Sequence, residues 1–206
     1  MKYKNIIRYI GYIFILAGAF LILGSLFINI RQQVMREAAI AEFRQMLSKE
    51  TEEQIASDTE LYPEETIIPG GNDAVEGDIL YILRIPSIDS ENPVREGVSM
   101  GVLEDALGHE EGTAYIGAKG NCVIAGHRNY NFGQFFNRLD EVQVNDLIYV
   151  DTAKQTFSYL VTDIKVVEPT DLSVLDPTDE EILTLYTCTP IYIATHRLVI
   201  TAERIG

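Results

Sequence analysis

Two stretches of the chain carry side chains that could do covalent chemistry: residues 121–136, NCVIAGHRNYNFGQFF, and residues 182–200, ILTLYTCTPIYIATHRLVI. In the first, Cys122 to Ala125 reads as a buried strand and Gly126 lets the chain turn. His127 then falls at the strand's mouth, where an imidazole can titrate and meet a substrate. In the second, a strand ends at Cys188, Pro190 stops the ladder, and a further strand resumes near Thr195. Cys188 and Arg197 then share one hairpin end. A thiol is a strong nucleophile as its thiolate, and a neighbouring cation or imidazolium favours that form. His127 could protonate a leaving amine, and Arg197 offers permanently charged donors to an oxyanion or to substrate carbonyls. Cysteine, histidine and arginine in that combination fit nucleophilic acyl transfer.

Each residue alone also has an ordinary explanation. A strand cysteine is commonly a small buried hydrophobe, and an arginine commonly serves a surface ion pair. Cys122 and Cys188 could form a disulfide outside the cell. Cys122, His127, Cys188 and His196 could gather round a zinc ion, although no pair has the spacing usual for zinc ligands. With 2 cysteines in 206 residues there is no disulfide framework to organise the chain.

The elements that must position these groups are short apolar runs separated by turn residues: DILYILRIPSI, NPVREGV, TAYIGA, CVIAGH, LIYVD, FSYLVTDIKVVE, ILTLYTC and HRLVITAERI. Their length and their β-branched and aromatic content predict an all-β barrel or sandwich over residues 77–206, with VLEDAL and FGQFFNRL as short helical interruptions. Residues 58–76 are acidic and broken by Pro63, Pro69, Gly70 and Gly71, which predicts a linker or flap. Residues 31–57 hold no Gly or Pro and predict a helical stalk. Its loose apolar side is formed by Val34, Ala38, Ile40, Ala41, Phe43, Met46 and Leu47.

Residues 9–30 contain no charged side chain, and the run is long enough to span hydrocarbon and longer than the apolar core of a cleavable signal. Lys2, Lys4 and Arg8 precede it, while Arg31 and Arg36 follow. That balance predicts residues 1–30 as a cytoplasmic tip and a single anchor, with everything after it outside. A net charge of −15 argues against a surface that tracks phosphate backbones, so nucleic acid is not an expected partner.

TLYTC, from Thr184 to Cys188, followed by His196 and Arg197 and preceded by AGHR from Ala125 to Arg128, resembles the sortase signature. The resemblance covers residues 77–206 and extends to the anchor. It implies a closed eight-stranded sortase-type β-barrel and a cysteine transpeptidase at the cell membrane, single-pass, with an extracellular catalytic domain. It further implies that Cys188 attacks the threonine carbonyl of an LPxTG-like sorting signal on a surface protein and that His127 acts as acid and base. Arg197 would stabilise the intermediate, and Thr187 would help shape the substrate and oxyanion site. The acceptor would be an amine, usually of a peptidoglycan precursor, or a pilin lysine in the pilus-building branch.

TCTP followed by THR looks most like class D or a neighbouring class. Pilus-building members carry an Asp-Pro-aromatic lid before the barrel and a second span after it. Leu61, Tyr62 and Pro63 are a faint echo of that lid, and no second apolar span is found. No cofactor and no metal are expected, because Glu104, Asp105, Glu110 and Glu111 read as a solvated acidic face. Two other readings stay open: a different cell-wall thiol enzyme such as an L,D-transpeptidase, and an anchored β-domain that binds a partner without turning it over.

Overall fold

Strand alternation organises the molecule. In the computed structural model, which describes residues 2–57, 74–128 and 135–205, a long helix α1 (Lys2–Ser57) precedes two strands, β1 (Ile79–Ile85) and β2 (Ser90–Glu96). A short helix α2 (Met100–Asp105) leads to β3 (Leu107–His109) and β4 (Gly120–Ala125). The chain then runs through β5 (Leu147–Asp151), β6 (Thr156–Val167), β7 (Glu181–Thr189) and β8 (His196–Arg204). The eight strands close into a barrel in the order β1-β2-β3-β4-β7-β8-β6-β5. Two neighbouring pairs, β2 with β3 and β4 with β7, run parallel. Closure leaves no sheet edge, and every second side chain points into one core.

That core holds Leu83, Ile85 and Val94 from β1 and β2, Cys122 and Ile124 from β4, Leu183 and Leu185 from β7, and Leu198, Ile200 and Ala202 from β8. Two tyrosines reach into it with their hydroxyls satisfied. Tyr81 accepts from the Ile116 N–H at 3.2 Å, and Tyr159 donates to Glu181 at 2.6 Å. Burial raises both phenols above the usual tyrosine range.

Seven of the eight expected strand segments contain strands, and TAYIGA does not: residues 113–118 form a loop with one turn at its end. The remaining strand is β3, which begins inside VLEDAL directly after α2. The loop is held by polar contacts that periodicity does not report. The His109 ring meets Glu96 through Nδ1 and the Ala114 carbonyl through Nε2, both at 3.0 Å, and stacks on Tyr115. Gly117 sits at φ +88°, and a Cβ there would come within 2.7 Å of the Phe157 ring. In FGQFFNRL the described part, from Phe135 onward, is a turn and one 3-10 turn at Leu139–Glu141. The expected flap over residues 58–76 lies, up to residue 73, outside the described residues.

Helix α1 carries the apolar run and the segment after it without a break. It contains a stretch of mean hydropathy 2.5, long and apolar enough to cross a membrane. Past residue 30 the same helix lies on the barrel. Ala39 and Phe43 are buried, Glu42 pairs with Arg95 at 3.4 Å, and Arg44 pairs with Glu91 at 3.3 Å. The docked stripe is narrower than the apolar side expected from the sequence, since Val34 and Met46 stay exposed.

Candidate active site

On β7, Leu183 and Leu185 face the core, so the alternation of the strand turns Thr184, Tyr186 and Cys188 to the outer face. β8 runs antiparallel beside it in a register that sets Cys188 opposite Arg197 and Thr189 opposite His196. Directly opposed residues project to the same side of an antiparallel pair, so thiol and guanidinium share the outer face. On the other flank β4 runs parallel to β7 with Ala125 beside Tyr186, and the Gly126 N–H donates to the Tyr186 carbonyl at 3.2 Å. Continuing that register brings His127 level with Cys188.

A pocket of about 250 Å³ opens at this point. His127, Arg128 and Cys188 line it together with Pro190, Tyr192 and Ala194 of the β7–β8 loop. Tyr192 and Ala194 hold left-handed φ values of 73° and 57°, conformations that cost an L-residue about 1–2 kcal/mol each. The N–H groups of Ile193 and Ala194 both donate to the Pro190 carbonyl, at 3.2 and 2.9 Å, which stabilises the turn. Arg197 donates from Nη1 to the His196 carbonyl at 3.1 Å, and among the described residues no carboxylate pairs with it. Among those residues its remaining N–H groups are not committed to a surface ion pair.

Thr187 stands differently from its neighbours. It is 1% exposed, faces away from the pocket, and donates its hydroxyl to the Gly126 carbonyl at 2.7 Å. That bond joins the ends of β4 and β7 behind the pocket. Gly126 has a reason other than turning: a Cβ there would lie 2.5 Å from both Leu107 and Phe136. Glycine is needed so that β4 can leave the barrel beneath those side chains.

The structure separates the groups of the two alternative sites. Cys122 is 2% exposed in the core and pairs with Leu183, five residues before Cys188 on β7, about 16 Å along a strand. A disulfide needs Cα atoms within about 7 Å, so the two thiols cannot be bridged, and both are free. The same separation dismantles the zinc set. Burial, reinforced by Glu181 and Glu96, pushes the Cys122 thiol well above the ordinary cysteine range, which leaves it inert. His196 meets Glu168 at 3.2 Å and Thr195 at 2.9 Å.

Two features of the site were not evident as such in the sequence. Glu110 is not simply part of a solvated acidic face: it accepts the Tyr186 hydroxyl at 2.8 Å, on the side of β7 that carries Cys188. Burial and that carboxylate together raise the Tyr186 phenol. Arg128 has a side chain only 8% exposed, pairs with Asp140 at 2.8 Å and donates to the Thr189 hydroxyl at 2.8 Å. Its position directly after His127 was the one available signal.

The barrel, with a cysteine and an arginine facing each other beside a histidine, defines the class to which comparison with known proteins also leads. Residues 83–205 match the family model of the sortase domain, and the chain belongs to the sortase family. It is 30% identical over 128 residues to Sortase D of Bacillus subtilis, covering 60% of this chain and 63% of that protein. It is also 30% identical over 148 residues to Sortase SrtE1 of Streptomyces coelicolor, covering 64% of this chain and 41% of the relative. The match thus spans less than two thirds of either relative. Among solved structures, a Sortase D5 transpeptidase of Clostridium perfringens superimposes with a TM-score of 0.67 at 31% identity, over 84% of this chain and 99% of that one. A lid mutant of sortase A from Corynebacterium diphtheriae gives 0.61 at 34% identity, over 66% and 75%. The likeness to class D members agrees with the TCTP and THR motifs.

Proposed function

We propose that the chain is a membrane-anchored cysteine transpeptidase that cleaves a C-terminal LPxTG-like sorting signal and joins the released protein to an amine of the cell wall. One observation carries this reading: Cys188 and Arg197 face each other across β7 and β8, with His127 on the same pocket as the thiol. In the mechanism, Cys188 gives its thiol proton to His127 as Sγ attacks the carbonyl carbon of the sorting-signal threonine, and Arg197 N–H groups receive the oxyanion. The adduct collapses with cleavage of the peptide bond after threonine, and His127 gives a proton to the departing amine. A thioester on Cys188 remains. An acceptor amine, from a peptidoglycan precursor or a pilin lysine, attacks it, and its proton passes by way of His127 to the departing sulfur, which frees the thiol. Water in place of the amine gives hydrolysis. Thr187 contributes by fixing the strand ends beneath the reacting groups.

In this reading residues 1–30 are the cytoplasmic tip and single membrane anchor, 31–57 the stalk, 58–76 a linker or flap and 77–206 the extracellular catalytic barrel. The long apolar stretch in α1 supports the anchor, and the lysines and arginine before it support its orientation. Since α1 packs on the barrel, the test uses the full chain in lipid nanodiscs. A panel of fluorescent sorting peptides is offered with an amine, with Cys188→Ala as control. Amine-linked product that requires Cys188 is the expected result. If no peptide is cleaved and Cys188 reacts with iodoacetamide no faster than a free thiol, the binding-domain reading replaces this one.

A further inference from the structure

We infer that Arg128 is a positioning residue for the acyl-transfer step, clasping the ends of β4 and β7 so that His127 and Cys188 stay at working distance. This rests on the transpeptidase reading above. A guanidinium 8% exposed is an expensive group to place beside a pocket, because a charge taken out of water costs several kcal/mol unless it is fully paired. Among the described residues the pairing is incomplete. Nη2 meets Asp140 at 2.8 Å, but that carboxylate is itself 52% exposed, and Nη1 donates to the Thr189 hydroxyl at 2.8 Å. Nε is buried and has no hydrogen-bond partner among the described residues. Apolar packing would fill the same space at lower cost.

What the charge achieves is a connection. Arg128 follows His127 on the chain, Thr189 follows Cys188, and the fork spans from one to the other while Asp140 anchors its far side. The seam below it, Thr187 to Gly126 and Gly126 to Tyr186, joins the same two strands before they diverge. Arg128 thus continues the joint beyond the last backbone hydrogen bond, at the level where the chemistry occurs. A planar fork can hold two partners in fixed directions, whereas a lysine ammonium can hold one or the other without fixing the angle.

The test measures kcat and KM for peptide transfer per titratable Cys188 in full-length protein, for Arg128→Ala, Arg128→Lys, Thr189→Val and the Arg128→Ala/Thr189→Val pair. Misplacement of reacting groups by about 1 Å costs on the order of 100-fold. The expected result is a kcat loss of that size for Arg128→Ala with KM within about threefold of wild type, a lysine variant that does not rescue, and a smaller loss for Thr189→Val that vanishes in the Arg128→Ala background. Unchanged kcat in Arg128→Ala, or losses from Arg128 and Thr189 that simply add, overturns the proposal. Should Arg128→Ala not fold, Thr189→Val alone decides it: a wild-type kcat overturns the clasp. If the wild-type chain cleaves no peptide, the transpeptidase reading fails separately. The rate of Cys188 alkylation by iodoacetamide then decides the clasp, a rate equal in wild type and Arg128→Lys overturning it and a changed rate supporting it.

Discussion

Cys122 and Cys188 lie on adjoining parallel strands of one barrel wall, yet one faces the core and the other the outer surface. On the inner side everything is settled: Cys122 packs among aliphatic side chains, and burial keeps its thiol protonated. On the outer side little is settled. Cys188 is half-buried at a pocket, faces an arginine that no described carboxylate neutralises, and adjoins a loop with two left-handed non-glycine residues. The difference teaches that reactivity is set by strand parity. Shifting β7 by one residue would send Cys188 inward and bring Thr187 out.

The sharpest way to break this comparison is to remove each thiol in turn. Cys188→Ala is expected to lower transfer by at least about a thousandfold in a peptide assay, whereas Cys122→Ala leaves the rate per folded molecule near wild type. A large rate effect from Cys122 would abolish the distinction between the two faces. Next, Arg197→Lys keeps the charge but loses the fork, and a loss of about 100-fold in kcat is expected, the scale for an oxyanion donor. On the inner side the effects are on stability. Cys122→Ser buries a hydroxyl without a ready partner and should destabilise the barrel by about 1–3 kcal/mol in denaturant unfolding, with kcat unchanged.

The smallest effect is expected with alkali. Tyr81, Tyr159 and Tyr186 have phenols raised in the folded state, so their contribution is complete below the unfolded value near pH 10 and is lost progressively above it. Unfolding midpoints measured against pH should stay flat with respect to these groups up to about pH 10 and then fall. Replacing Glu110 with Gln should bring the Tyr186 phenol down, as read from phenolate absorbance.

Much of the barrel was legible because seven strand segments show the composition and length of strands. The sequence motif also brought Cys188, Arg197 and His127 into one group, which the registers place at one end of β4, β7 and β8. The parallel pairing of β4 with β7 was not legible, since it joins segments far apart along the chain and no turn announces it. β3 was hidden because Leu107, Gly108 and His109 are too few to show a period, and TAYIGA misled because its apolar residues fill a loop pinned by His109 and Tyr81. Glu110 read as part of a solvated acidic face and Arg128 as no more than the end of the AGHR motif, and what distinguishes both is a partner on β7, which only the closed barrel supplies.

The docking of α1 has a consequence for reach. Ala39 and Phe43 lie some nine to thirteen residues past Ile30, about 14–20 Å along a helix, and β7 stands halfway round the ring from β1. In the proposed anchored arrangement, with residues 9–30 in a bilayer, the barrel would be carried like a lamp on a bracket, with β7 on the side away from the post. Under the proposed function, a client still threaded in that bilayer would have to extend about that far to be cut, and the length of spacer beyond its own span would become a selection rule independent of its recognition sequence.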